Sequence, residues 1–145
     1  YAAVPDSRLL GNNPAKTVLS VALAMAEGEL AYRGGNYERA FALLRDAVKQ
    51  DLALHYDEPW GWMMPASHAL GALLLDQGKG ADAEQVYRDD LRRYPMNGWS
   101  LNGLAESLRQ QGKDKEASAV EAQFAKARAR ADVQIKSSCY CRKGS

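Results

Sequence analysis

Residues 65–95 read PASHALGALLLDQGKGADAEQVYRDDLRRYP, and the reading of this stretch decides the fold. Ala69, Leu70, Leu73 and Leu74 recur at a helical period, and Pro65 suits a first helical turn, where its missing N–H would be unpaired anyway. Gly78 closes that helix, because glycine accepts the left-handed conformation a helix end often needs. Beyond the turn Gln77-Gly78-Lys79-Gly80, the residues Ala83, Val86, Tyr87 and Leu91 make one apolar stripe. The charged set Asp82, Arg88, Asp89, Arg92 and Arg93 mostly faces away, and Pro95 stops the second helix. Two such stripes joined by a short turn bury each other as an antiparallel hairpin, with the small residues Gly71 and Ala83 where the helices cross.

The same grammar returns 34 residues later: Leu70 is matched by Leu104, Gly71 by Ala105, Leu74 by Leu108, Gly78 by Gly112 and Ala83 by Ala117. It also occurs earlier, as Gly28, Ala31, Gly35, Tyr37, Ala40, Leu44 and Ala47. Gly35 precedes Gly78 by 43 residues, one repeat plus nine. A fixed period of this size marks stacked helical repeats.

The chain resembles the tetratricopeptide repeat (TPR) family, whose pattern runs Leu-Gly, a large residue, a turn Gly, an Ala, an aromatic and a closing Pro. Leu70-Gly71, Leu74, Gly78, Ala83, Tyr87 and Pro95 match it in order and spacing. The flanking copies depart from it: the first has Glu27 before Gly28 and Leu52 in place of the Pro, and the last has Glu121 in place of the aromatic. Tyr56 to Leu104 is also similar to the C-terminal repeats of larger bacterial proteins of this kind. The resemblance implies an all-α, right-handed superhelix of three hairpins, at roughly 14–54, 65–95 and 97–133. Residues 52–64 are then an insertion, and 134–145 a flexible tail after a repeat domain spanning 1–133.

Composition agrees with one domain. The 145 residues are 46% hydrophobic and 26% charged, the balance of a globular chain with a core of its own. No run approaches the roughly 18 apolar residues of a membrane helix. The chain begins at Tyr1 instead of Met, as a fragment or processed chain would. Charge is uneven, with +4 over residues 113–145 and −3 before them. A basic end can attract nucleic acid, but Lys126, Arg128 and Arg130 alternate with alanines and offer no base-stacking aromatics, so a solvated helix face is the better reading.

Within the first repeat, Asn13-Pro14 reads as a helix start, Gly34-Gly35 as its end and Asn36 as the start of the next helix. Asn97 caps the last repeat. Its second helix starts near Asp114, with Ala117, Val120, Phe124, Ala127 and Ala131 along one side. The insertion gathers Tyr56, Trp60 and Trp62 beside Asp57, Glu58, Met63 and Met64. These aromatics either anchor a ligand or fill the gap made by the longer connection.

Catalytic signatures are missing from the residue pattern. The two histidines, His55 and His68, have no partnered nucleophile at a recognisable elbow, and Asp76 lies two turns from His68, out of reach on one helix. Cys139 and Cys141 offer two thiolates at a spacing one residue too short for a usual zinc pair. They read as unstructured tail thiols, half of a soft-metal site or a link between chains.

In the resembled family the first helix of each repeat lines a concave groove. Here that implies Met25, Glu29, Tyr32 and Arg33 on the first helix, and His68, Leu75 and Asp76 on the third. Trp99, Asn102, Glu106 and Arg109 follow on the fifth. Met25 and Glu29 stand where some relatives carry a clamp for a peptide C-terminus, so that function does not transfer. The expectation is a protein-interaction module with no cofactor. It holds a peptide or partner helix, and self-associates through its repeat ends. The rivals are a soft-metal or redox protein using Cys139 and Cys141, and an accessory domain of a larger enzyme. The sequence leaves the compartment open, bacterial cytoplasm and periplasm alike.

Overall fold

Gly35, Gly78 and Gly112 carry backbone φ of +79°, +68° and +71°, and at each the chain reverses in the same way. In the computed structural model, which describes residues 3–142, Asn36 N–H donates to Ala31 O at 2.9 Å and Gly35 N–H to Tyr32 O at 3.0 Å. Lys79 N–H donates to Leu74 O at 2.9 Å and Gly78 N–H to Leu75 O at 3.0 Å, while Lys113 N–H donates to Leu108 O and Gly112 N–H to Arg109 O, both at 3.0 Å. This is the Schellman closure three times over, with glycine at the one position that requires a left-handed residue. The residue after each glycine opens the next helix, its carbonyl accepting from Ala40, Ala83 or Ala117 N–H at 2.9–3.0 Å. All three alanines are fully buried.

The described residues contain six α-helices: α1 (Ala15–Arg33), α2 (Tyr37–Leu52), α3 (Ala66–Asp76), α4 (Gly80–Arg93), α5 (Gly98–Gln110) and α6 (Asp114–Ala127). They form three hairpins, α1–α2, α3–α4 and α5–α6. A two-residue pair, β1 (Leu9–Leu10) with β2 (Asn13–Pro14), is antiparallel and precedes α1. The protein is thus mostly helical. No helix of the described residues is long and apolar enough to cross a membrane. The chain divides into two compact units, 1–66 and 67–145.

In the first unit α1 and α2 cross at Gly28, where a Cβ would stand 2.8 Å from Leu44 Cγ. Near the turn, Tyr32 is buried edge-on against Tyr37 and Phe41, with ring centroids 5.1 and 6.1 Å away. Asn36 caps α2, its side chain accepting from Arg39 N–H at 3.2 Å. Asn13 does not cap α1; Pro14 takes that place. The Asn13 amide is instead fully buried and pairs with the backbone of His55, donating to His55 O at 3.1 Å and accepting from His55 N–H at 2.7 Å. Asn12 N–H donates to Asp57 Oδ2 at 2.8 Å. The N-terminal turn is therefore the partner of the irregular segment that follows α2.

In the second unit α5 and α6 run antiparallel, with Gly98 near Phe124 at one end and Arg109 paired to Asp114 and Glu121, each at 2.9 Å, at the other. Asn97 caps α5, accepting from Trp99 N–H at 3.1 Å. Helix α6 stops at Ala127, four residues short of the expected Ala131. Past Phe124 its side chains are largely exposed, so helical propensity acts there without apolar burial to support it. Arg128 Nη2 then donates to Val133 O at 3.1 Å and turns the chain back. Of the segment 134–145, expected to be a flexible tail, residues 134–142 come to rest on the unit's helices, with Ser138, Cys139 and Cys141 all buried, and residues 143–145 lie outside the described residues.

Candidate functional site

Tyr87 organises the second unit. It is fully buried on α4, and its ring lies against both Gly71 of α3 and Gly103 of α5, so closely that a Cβ at either glycine would overlap it. The ring thereby passes between α3 and α5, and its hydroxyl meets Ser138 Oγ at 2.7 Å. Ser138 Oγ also donates to His68 O at 2.9 Å. Burial raises the pKa of the Tyr87 phenol well above its ordinary value, so it stays a neutral hydrogen-bonding group.

Beside this column lies a buried polar cluster. Asp90 accepts from Ser67 Oγ at 2.8 Å, Ser100 Oγ at 2.5 Å and Asn97 Nδ2 at 3.2 Å, and its Oδ2 stands 3.4 Å from His68 Nε2. Burial alone would push the Asp90 carboxyl up. Hydrogen bonds from His68, Ser100 and Ser67 outweigh it and hold the group below its ordinary value. Serine, histidine and aspartate together invite a catalytic reading, but the geometry differs from a proton relay. In such a relay the serine and the carboxylate engage opposite ring nitrogens; here Ser100, Asp90 and Asn97 all converge on Nε2, and Ser100 bonds Asp90 directly. The cluster ties α3, α4 and the start of α5 together, and Trp99 stacks over the His68 ring with centroids 6.5 Å apart.

Residues 133–142 then cross the face formed by α3 and α5. Ile135 Cδ1 would lie 3.4 Å from a Cβ at Gly98, at the start of α5. Ser138 sits over Tyr87 and His68 O, and Cys141 is close to Ala69 O. Arg142 reaches both Glu106 Oε1, at 2.7 Å, and Asp76 Oδ1, at 3.7 Å. Cys139 and Cys141 are joined to each other in a disulfide. The two cysteines, read in the sequence as unstructured tail thiols, half of a soft-metal site or a link between chains, are therefore spent on one another. Among the described residues no group of three or more His, Cys, Asp and Glu is placed to hold a metal ion.

The residues singled out in the sequence separate into three groups. Met25, Tyr32 and His68 are interior, 6%, 5% and 7% exposed, and present almost no surface to a ligand. Met25 faces Trp62, whose Nε1–H points at its sulfur at 2.9 Å. On and around the α3–α5 face are Asp76, Glu106, Asn102 and the half-exposed Trp99, of which Asp76 and Glu106 hold Arg142. Elsewhere, Arg109 is turned toward α6, Arg33 lies over the Tyr32 ring, Glu29 is half-buried, and Tyr56 and Trp60 are exposed on the irregular segment of the first unit.

The sequence pattern did not single out Asp90, Ser100, Ser138 or Arg142, and while it rightly left Asp76 out of reach of His68 it offered no other partner, which the structure supplies in Asp90. Nothing local in the sequence marks Ser138, or Gly103 as the second glycine against the Tyr87 ring. Comparison with protein-family models finds no match for this chain, and comparison with curated proteins finds none either.

Proposed function

We propose that this chain is a TPR-type interaction module that holds a segment of another protein on the face built by α3 and α5, without covalent chemistry. The observation that carries the reading is that an irregular stretch of polypeptide already lies across that face, met by Tyr87 from below and by Asp76 and Glu106 at its end. Three identical turns support it as well. A small residue twelve positions before each buried alanine (Gly28, Gly71 and Ala105 before Ala40, Ala83 and Ala117) belongs to the same pattern. The right-handed superhelix is part of this proposal. Trp99 and Asn102 flank the face with an aromatic surface and an amide, groups suited to fixing an extended peptide.

Selection of binders from a random peptide library with the whole chain as bait tests the reading. Selected peptides lose at least about tenfold in affinity on Trp99→Ala, a loss of about 1.4 kcal/mol, while thermal unfolding stays near that of the parent. A library that yields no binder, or binders indifferent to Trp99 and Asn102, overturns it.

A further inference from the structure

We propose that the α3–α5 face recognises partner segments bearing a hydroxyl residue four positions before an arginine, and that residues 135–142 are an internal copy of that ligand. The inference rests on the peptide-binding reading above and names the chemistry of its ligand. Two groups on the face define what an occupant must supply. The Tyr87 hydroxyl is buried and requires an oxygen partner wherever the face is covered; Ser138 provides it and spends its own proton on His68 O. Asp76 and Glu106 both contact one guanidinium, that of Arg142, so the far end of the face is a carboxylate pair that calls for a cation.

Residues 135–142 have the character of a bound ligand more than of a structural element. Among the described residues they form no helix or strand; Ile135 packs by Gly98, Cys139 and Cys141 are buried, and the polar groups offered to the face include the Ser138 hydroxyl and the partly exposed charge of Arg142. The partly exposed ion pairs of Arg142 are individually modest, so that end of the segment can release first. Being tethered, the segment competes at an effective concentration on the order of millimolar. A partner segment of the same chemistry takes the face by displacing it, and weak segments are excluded.

The probe is a labelled synthetic peptide with the sequence of residues 134–142, titrated by fluorescence anisotropy into the full chain. The parent chain binds it weakly, whereas the S138A/R142E chain, whose own segment has lost both groups, binds it at least about tenfold tighter. Adding D76N and E106Q to that chain abolishes binding, as does reversing the arginine of the peptide to glutamate. Where S138A/R142E fails to fold, R142E alone carries the same comparison. Equal affinity for the parent and the opened chain overturns the inference, as does no binding to a folded opened chain. A further measurement uses the parent itself: excess peptide lowers amide-exchange protection at Cys139 and Cys141, and unchanged protection at saturating peptide counts against displacement. Library-selected binders that depend on Trp99 but lack the hydroxyl-to-arginine spacing would leave the interaction-module reading standing and sink this one.

Discussion

The ring of Tyr87 occupies the space that a side chain at Gly103 would need. Gly71 meets the same ring from α3, so one aromatic residue of α4 sets how closely two other helices approach. Gly103→Ala therefore overpacks a filled site and lowers unfolding free energy by roughly 1–3 kcal/mol in chemical denaturation. Combining it with Tyr87→Leu makes room for the methyl group, and a double-mutant cycle then gives a coupling between the two sites of about 0.5–3 kcal/mol. Strict additivity would contradict the packing described.

At Gly78 the constraint is of another kind. Nothing lies within 4 Å of a Cβ there, yet φ is +68°. Gly78→Ala costs roughly 1–2 kcal/mol through the left-handed backbone alone, and Gly78→Asn costs less because asparagine tolerates that region. Thermal melts that rank the two variants the other way would refute the conformational account.

Asp90 holds four polar side chains in a buried cluster. Asp90→Ala strands them and should cost roughly 3–5 kcal/mol. Asp90→Asn keeps the shape and part of the hydrogen bonding, so its cost is smaller, roughly 1–3 kcal/mol. Urea unfolding of both variants checks the order.

Glu84 links α4 to the turn between α5 and α6. Its carboxylate accepts from Lys113 Nζ at 2.7 Å, Gln111 Nε2 at 2.8 Å and Arg88 Nε at 2.7 Å. The Lys113 contact leads in holding its pKa at about 2 against an ordinary 4.5; burial opposes this, and Arg88 and Gln111 reinforce it. A folded-state pKa below the unfolded one means that the unfolded chain takes up the proton first. The contribution is thus present above pH 4.5 and is lost as pH falls toward about 2. Glu84→Gln flattens the decline in melting temperature across that window and changes little of its slope near neutrality. An unaltered acid slope would exclude the assignment.

Tyr32 was expected on a ligand face but is a core residue between Tyr37 and Phe41. Tyr32→Ala removes a buried ring and costs roughly 3–5 kcal/mol by analogy with other aromatic truncations. A binding loss in this variant would report unfolding, which makes Trp99, 50% exposed, the informative position. Parent-like stability of Tyr32→Ala in denaturant would show the ring to be peripheral.

What was legible in the sequence is what depends on neighbours a few residues away. The turn glycines, the alanines five positions after them, the caps at Asn36 and Asn97 and the helical stripes all act within one or two turns, so their spacing alone carries the three hairpins. The contacts that shape the candidate site join residues far apart in the chain: His68 with Asp90 and Ser100, Tyr87 with Ser138, Asp76 and Glu106 with Arg142. Each of these residues is locally an ordinary polar position on a helix or in an aperiodic tail. Only the packing of α3 against α4 and α5, with a tyrosine admitted between two glycines, decides which of them meet. Burial then makes those meetings consequential, because an interior hydroxyl or carboxylate must find a partner that an exposed one does not need.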